Sequence, residues 1–241
     1  MTAILSNLQA VNASINNAAQ TARRDVAEIL LLAVSKTVPA KSVREAYSLG
    51  QMAFGENFVQ EALDKMQQLN DLPLDWHFIG PIQSNKTRAI AENFSWVHSV
   101  DRFKIAQRLS EQRPDSLPPL NICIQINISG EASKGGVPNE EASSLARSIS
   151  ALPRLKLRGL MTIPAPVDDL VEQGKPFAQM RMLFNQLNST GFTLDTLSMG
   201  MSHDMTAAIL EGATIVRVGT AIFGSRNYDN KNSPHGLSSE K

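Results

Sequence analysis

Residues 29–34, "ILLLAV", form an unbroken apolar run that stops at Ser35-Lys36-Thr37 and then meets Pro39. A run this short, bounded by turn residues, fits a strand buried on both faces of a parallel sheet. Seven further apolar, β-rich segments follow: "QMAFGEN", "WHFIGP", "FSWVHSVD", "NICIQINI", "LKLRGLMTIP", "LDTLSMGM" and "TIVRVGT". Between them, apolar residues recur at spacings of three and four, as on one face of a helix. Val59, Ala62, Leu63 and Met66 form one such stripe; Ala142, Leu145, Ala146 and Ile149 a second; Phe177, Met180, Phe184 and Leu187 a third. The shortest, "DMTAAILEG", closes on Gly212. Ahead of the first strand, Ile4, Leu8, Val11, Ile15, Ala18 and Ala22 predict an amphipathic helix. Eight strands alternating with helices predict an α/β chain folded as a single (β/α)8 TIM barrel with an additional N-terminal helix. An open doubly wound sheet is the alternative, although it would use fewer strands at this length. The barrel domain is expected over 1–229, with residues 1–27 as the helix packed on it, and the polar, turn-rich residues 230–241 as a flexible tail.

Composition narrows the function. Lys plus Arg number 23 and Asp plus Glu 23, a formal net charge of zero, and no basic run marks a nucleic-acid partner. The start of the chain has neither a basic segment nor a compact apolar core, so it does not read as a signal peptide. No apolar run approaches the roughly 20 residues that span a bilayer. Cys123 is the only cysteine; it sits in an apolar strand and is expected to be an inert interior residue. These features suit a cytoplasmic protein with no membrane or nucleic-acid partner, and nothing in them demands more than a monomer.

On such barrels the chemistry gathers at the C-terminal ends of the strands. Read in order, those ends are Lys36, Glu56-Asn57, Gly80-Pro81, Asp101, Asn127, Met161 to Pro164, Met199 to Ser202 and Gly219-Thr220. No dinucleotide, P-loop or HExxH motif occurs, and His77, His98 and His203 lie too far apart to suggest a zinc site. Ser202 and Gly219-Thr220 close the last two strands, where barrels commonly build a phosphate site. Gly219 allows a close backbone approach, and the hydroxyls of Ser202 and Thr220 can donate. Taken singly, Ser202 could be a helix N-cap and Gly219 a turn. Lys36 ends the first strand, where desolvation can lower an amine's pKa and make it a Schiff-base former. The plainer reading is a lysine that pairs with a carboxylate such as Glu56. A lysine facing a phosphate cradle suits pyridoxal 5′-phosphate (PLP); it also suits a class I aldolase acting on a sugar phosphate. Ile215, Arg217 and Gly219 share one face of the last strand, and an arginine in a barrel lumen needs acceptors. A pyridine nitrogen is one; an ion pair with Glu56 or Asp101 is the alternative.

Taken together, "AVSKTVP", "FGENFVQEA", "WHFIGPIQSNK", "VHSVDR", "INISGEASKGG", "LRGLMTIP", "LSMGMSHDM" and "VRVGTAIFGSRNY" resemble the pyridoxal phosphate homeostasis protein family from about residue 29 to 228. Phe58 stands where tyrosine is more usual and Ile82 where leucine is common. The resemblance implies a barrel like that of the fold-type III PLP enzymes, with PLP bound covalently to Lys36 as an internal aldimine. It implies that Ser202, Gly219 and Thr220 hold the phosphate, that Arg217 meets the pyridine nitrogen, and that Asn57, Met161 and Met201 line the pocket. His77 is a weaker candidate, since it could simply satisfy a core carbonyl. Arginine holds its proton, so the ring would be a poor electron sink. The sequence also ends with the barrel, leaving no added domain to supply a second base for racemisation. The expected role is therefore to hold PLP and release it to apo PLP-dependent enzymes, not to catalyse. An amino-acid racemase or other fold-type III enzyme is the alternative. Lys134 in the "SKGG" loop is a candidate for a second, transient PLP.

Overall fold

The computed structural model describes residues 2–131 and 135–224. Lys134 and the expected tail over 230–241 lie outside the described residues. The strands are β1 Leu30–Val34, β2 Ala53–Glu56, β3 Asp75–Phe78, β4 Trp96–Val100, β5 Leu120–Gln125, β6 Leu155–Met161, β7 Thr196–Met201 and β8 Ile215–Val218. They pair in parallel in chain order and close, with Leu30 to Ala33 of β1 opposite Ile215 to Val218 of β8. Closure removes both sheet edges and excludes the open doubly wound alternative.

The helices are α1 Ala3–Thr21, α2 Ala40–Ser48, α3 Val59–Gln68, α4 Thr87–Asn93, α5 Phe103–Gln112, α6 Asn139–Ser150, α7 Leu170–Ser189, α8 Met205–Leu210 and α9 Thr220–Phe223. Outward strand residues such as Leu31, Phe54, Phe78 and Val97 join the buried helix stripes in one large apolar core. Inside the barrel, Leu32, Ala53 and Ile215 form a smaller cluster with Ile79 and Trp96. The α6 stripe is buried as its spacing predicts. On α3 the buried residues are Ala62 and Lys65, whereas Leu63 and Met66 are only partly covered. The lysine turns inward because its partners, Glu56 and the Ser35 carbonyl, are there.

Helix α1 runs across the outside of the barrel. Leu8, Val11 and Ile15 are buried, each contributing about 1.5–3 kcal/mol of apolar burial. The Asn7 amide donates to the Ile222 carbonyl at 2.9 Å, and Arg24 donates to the carbonyls of Ile209 and Ala213 at 3.1 and 2.8 Å. The first helix thus holds the C-terminal ends of α8 and α9, the two helices that follow β7 and β8. Among the described residues no helix is long and apolar enough to cross a membrane.

Strand β7 carries one irregularity that matters. Ser198 is opposite Ile215 but Met201 is opposite Arg217, so β7 has one extra residue over that interval. Gly200 absorbs it at φ +92, and a Cβ there would come within 2.6 Å of the Ala208 Cβ. The slip turns both Ser198 and Met201 toward the lumen, where simple alternation would separate them.

Candidate functional site

A cavity of about 620 Å³ opens beyond the C-terminal ends of β1, β2, β7 and β8, within the size range of small-molecule sites. Lys36, Asn57, Met201, Ser202, Arg217, Gly219 and Thr220 all line it. Met161, which the sequence also placed in the pocket, does not. It is fully buried on β6, and Ile163, two residues further along the same extended segment, reaches the cavity instead. Asp101 pairs with Arg102 at 2.6 Å, and the Asn127 amide donates to the Glu131 carbonyl; neither strand end lines the cavity.

Lys36 is held by the peptide units on either side of it. Ser35 is buried; its hydroxyl donates to Glu56 Oε1 at 2.6 Å, and its carbonyl accepts from Lys65 Nζ at 2.5 Å. On the other side the Thr37 amide donates to Glu61 Oε1 at 2.5 Å, and Thr37 takes a left-handed φ of +64. That conformation costs a β-branched residue free energy and persists where the surroundings impose it. Lys65 joins the two sides, at 2.7 Å from Glu56 and 2.6 Å from Glu61. Glu56 is therefore the partner of Lys65, not of Lys36. Burial pushes the Glu56 carboxyl up, and although Lys65 and the Ser35 hydroxyl oppose this, its pKa stays above the ordinary value.

Arg217 enters the lumen from β8, as its parity with Ile215 and Gly219 predicts. It is buried, and its acceptors are neither Glu56 nor Asp101. Nη1 donates to the Ser198 carbonyl at 2.6 Å and to Ser198 Oγ at 2.7 Å, and Nη2 donates to the Thr162 carbonyl at 2.8 Å. Burial pulls its pKa down to about 10, partly offset by Asp204, so at neutral pH it remains a cation and a donor.

At the opposite end of the cavity Ser202 and Thr220 are exposed. The N-cap position of α8 belongs to Asp204, whose carboxylate accepts from the Met201 amide at 2.5 Å. Ser202 is thus not the cap, and its hydroxyl remains with the cavity. Gly219 lies against β1: a Cβ there would be 3.1 Å from the Val34 carbonyl, so the absent side chain lets the two strand ends meet under the cradle. Asn57 contributes a buried Oδ1 with no hydrogen-bond partner, an acceptor that a ligand donor would satisfy. Gly80 fixes its backbone, since a Cβ at Gly80 would fall 2.2 Å from the Asn57 carbonyl oxygen.

Thr37, Lys41, Ser42 and Phe223 also line the cavity and were not anticipated. Lys41 and Ser42 follow Pro39 within the first turn of α2, and a cation that close to Lys36 in sequence was the available signal. The strand-three histidine does not line the cavity. His77 bonds no carbonyl: its Nε2 lies 3.1 Å from Asp75 and its Nδ1 2.9 Å from His98. No group of residues able to hold a metal ion occurs among the described residues. Cys123 is buried, its thiol pushed by burial up to about 12, which fits an inert role.

An amine, a pair of hydroxyls beside a glycine backbone, a buried guanidinium and an orphaned amide oxygen fit an aldehyde-bearing aromatic phosphate such as PLP. The comparisons agree. Residues 6–227 match the alanine racemase N-terminal domain family. The pyridoxal phosphate homeostasis protein of Pseudomonas aeruginosa is 60% identical over 228 residues, 95% of this chain and 98% of that protein. The homologue of the same description from Escherichia coli K12 is 52% identical over 234 residues, covering 96% and 100%. The solved structure of PipY from Synechococcus elongatus with PLP bound superposes with a TM-score of 0.80 at 37% identity, covering 92% of this chain and all of that one. The chain belongs to the pyridoxal phosphate homeostasis protein family.

Proposed function

We propose that this protein holds PLP on Lys36 and serves intracellular PLP homeostasis by releasing it to apo PLP-dependent enzymes. The observation that carries this reading is the meeting of Lys36, the Ser202–Gly219–Thr220 cradle and buried Arg217 in one cavity. Bound here, PLP would supply an aldehyde that the Lys36 amine would hold covalently, with loss of water. The ionisable side chains in the cavity lining are Lys36, Lys41 and Arg217, all basic, which suits an anionic cofactor. Ser202 and Thr220 sit at the exposed end and suit its phosphate. Arg217 would donate to the ring nitrogen and keep its proton, so the ring would gain little power to stabilise a carbanion. Asn57 Oδ1, which has no hydrogen-bond partner, would accept from a ligand donor, and Met201 would line the pocket. That electronic poise favours a carrier over the racemase reading, and so do the descriptions of the relatives. The carrier acts as a cytoplasmic monomer whose single domain spans 1–229, and hand-over proceeds by exchange of the amine on the aldehyde carbon.

Borohydride reduction followed by peptide mapping tests the site. A pyridoxyl group on Lys36, absent from Lys36→Ala, is the expected result; an adduct confined to any other lysine overturns it. Sustained turnover of an amino acid by the purified protein, lost in Lys36→Ala, would instead establish the enzyme reading.

A further inference from the structure

The lumen beneath the cavity is not apolar throughout. Asp75 stands at the first position of β3, at the base of the barrel, and accepts a hydrogen bond from the Ser95 hydroxyl. From there polar contacts run without a break to Arg217: Asp75 Oδ2 to His77 Nε2 at 3.1 Å, His77 Nδ1 to His98 Nε2 at 2.9 Å, His98 Nδ1 to Ser198 Oγ at 2.7 Å, and Ser198 Oγ to Arg217 Nη1 at 2.7 Å. Both histidines and Ser198 are fully buried. Trp96 lies flat against His77, with centroids 5.3 Å apart and planes 7° apart, and the Arg158 guanidinium covers Trp96 at 4.7 Å. Four strands, β3, β4, β7 and β8, each contribute a member. The β7 irregularity at Gly200 is what lets Ser198 and Met201 both face this side.

The chemistry of its ends fixes the direction of the chain. A guanidinium can only donate, and a carboxylate can only accept. Arg217 therefore donates to Ser198; the Ser198 hydroxyl donates to His98 Nδ1; His98 Nε2–H donates to His77 Nδ1; and His77 Nε2–H donates to Asp75. Every donor is used once, and both rings are neutral with the proton on Nε2. A further proton on His77 would force His98 to donate to Ser198, which would then accept twice and have no acceptor left in the chain for its own hydroxyl. An unsatisfied buried hydroxyl is costly, so the one-way arrangement is the one that this packing supports. Burial pushes the Asp75 carboxyl up, but His77 and Ser95 outweigh it, and its pKa lies below the ordinary carboxylate value. Burial first, with the charge of Arg217 adding to it, holds His98 well below the usual imidazole range, as a neutral ring in this geometry requires.

We propose that Asp75, His77 and His98 are positioning residues that orient Arg217 toward the cofactor's ring nitrogen through this one-way relay. The proposal rests on the assignment of Arg217 to that nitrogen. Two bonds from Arg217 to main-chain carbonyls place the guanidinium, but they do not fix which way the Ser198 hydroxyl points; the relay does. Turning that hydroxyl would confront Nη1 with a competing donor and displace the guanidinium from the ring nitrogen.

The test uses the protein with PLP bound and ¹⁵N-labelled histidine. Long-range ¹H–¹⁵N correlation is expected to show His77 and His98 as neutral Nε2–H tautomers; an Nδ1–H or doubly protonated ring at either position overturns the relay. Asp75→Ala, which removes the terminal acceptor, is expected to abolish the His77 signature and to shift the visible band of the bound cofactor. Asp75→Asn, which still accepts through its amide oxygen, is expected to restore both. Should the tautomers change while the band stays fixed in Asp75→Ala, Arg217 is held by its carbonyl contacts alone and the positioning role is wrong. If Asp75→Ala fails to fold, the wild-type tautomers and the band of Asp75→Asn decide the matter, an altered band with loss of the Nε2–H signature in that isosteric variant refuting rescue by an acceptor. A band unmoved by Arg217→Lys would show instead that the arginine does not face the ring, a failure of the site assignment with the relay intact.

Discussion

Replacing Lys65 by Met should cost more than any ordinary surface change, and the cost should grow with pH. Lys65 Nζ bonds Glu56, Glu61 and the Ser35 carbonyl, all within 2.7 Å. Glu56 is fully buried, and its second oxygen already lacks a partner. Removing the cation leaves a buried carboxylate supported only by the Ser35 hydroxyl, a defect of about 3–5 kcal/mol. At about 2–4 °C per kcal/mol for a chain this size, Tm should fall by roughly 6–20 °C. The folded-state pKa of Glu56 is raised above its unfolded value by burial, against the opposition of Lys65. A raised acid contributes stability that is fully present below the unfolded pKa and is lost as pH rises through the folded one. Without Lys65 the raise is larger, so the deficit relative to wild type should be greater at about pH 8 than at about pH 5. Urea unfolding of both proteins at the two pH values measures this directly. Glu56→Gln in the Lys65→Met background should recover much of the loss. A deficit below about 1 kcal/mol, or one equal at both pH values, would refute the idea that this lysine neutralises a buried charge. The same variant should retain PLP less well while still folded, because the Ser35 and Thr37 peptides that aim Lys36 lose their common anchor.

Ser202→Ala combined with Thr220→Ala should weaken PLP retention by roughly tenfold or more per hydroxyl, at about 1.5–3 kcal/mol per bond to a charged group, with Tm unchanged; pyridoxal lacking the phosphate should be indifferent to the change, and an equal effect on both ligands would remove the cradle from the account. Gly80→Ala should destabilise by about 1–3 kcal/mol and displace Asn57, because its Cβ has no room beside that residue's backbone; unaltered stability and cofactor binding would contradict the packing. Cys123, with its thiol at about 12, should resist iodoacetamide at about pH 8 until the protein unfolds, and rapid alkylation of the native protein would show the barrel interior to be open.

The sequence carried the architecture because each strand is an apolar run with its own punctuation, and eight such runs admit few arrangements. Lys36 and Arg217 stood out for a related reason: each interrupts a segment whose other residues belong in a core. What stayed hidden depends on partners distant in sequence. The α3 stripe points to Leu63 and Met66, yet Lys65 turns inward because a carboxylate nine residues before it and a carbonyl thirty residues before it face that helix. Strict alternation along "TLSMGM" sets Ser198 and Met201 on opposite faces, and only the left-handed Gly200 brings them together. His77 and His98 looked unrelated because their link is a lumen contact between neighbouring strands, visible once the register is known. Met161 was placed one step too low, since the pocket begins beyond the last paired residue of β6.

The grip of α1 on α8 and α9 also bears on when a newly made chain can take up its cofactor. The bond from Asn7 to Ile222 bridges 215 positions, and Lys36 faces Arg217 and Gly219 only after the last strand has docked beside the first. A ribosome-tethered fragment lacking that final segment has Lys36 but neither Arg217 nor the Gly219-Thr220 strand end beside it. On the proposed assignment, vitamin loading would await the docking of the eighth strand, and a product terminated before it would lack the assembled cavity.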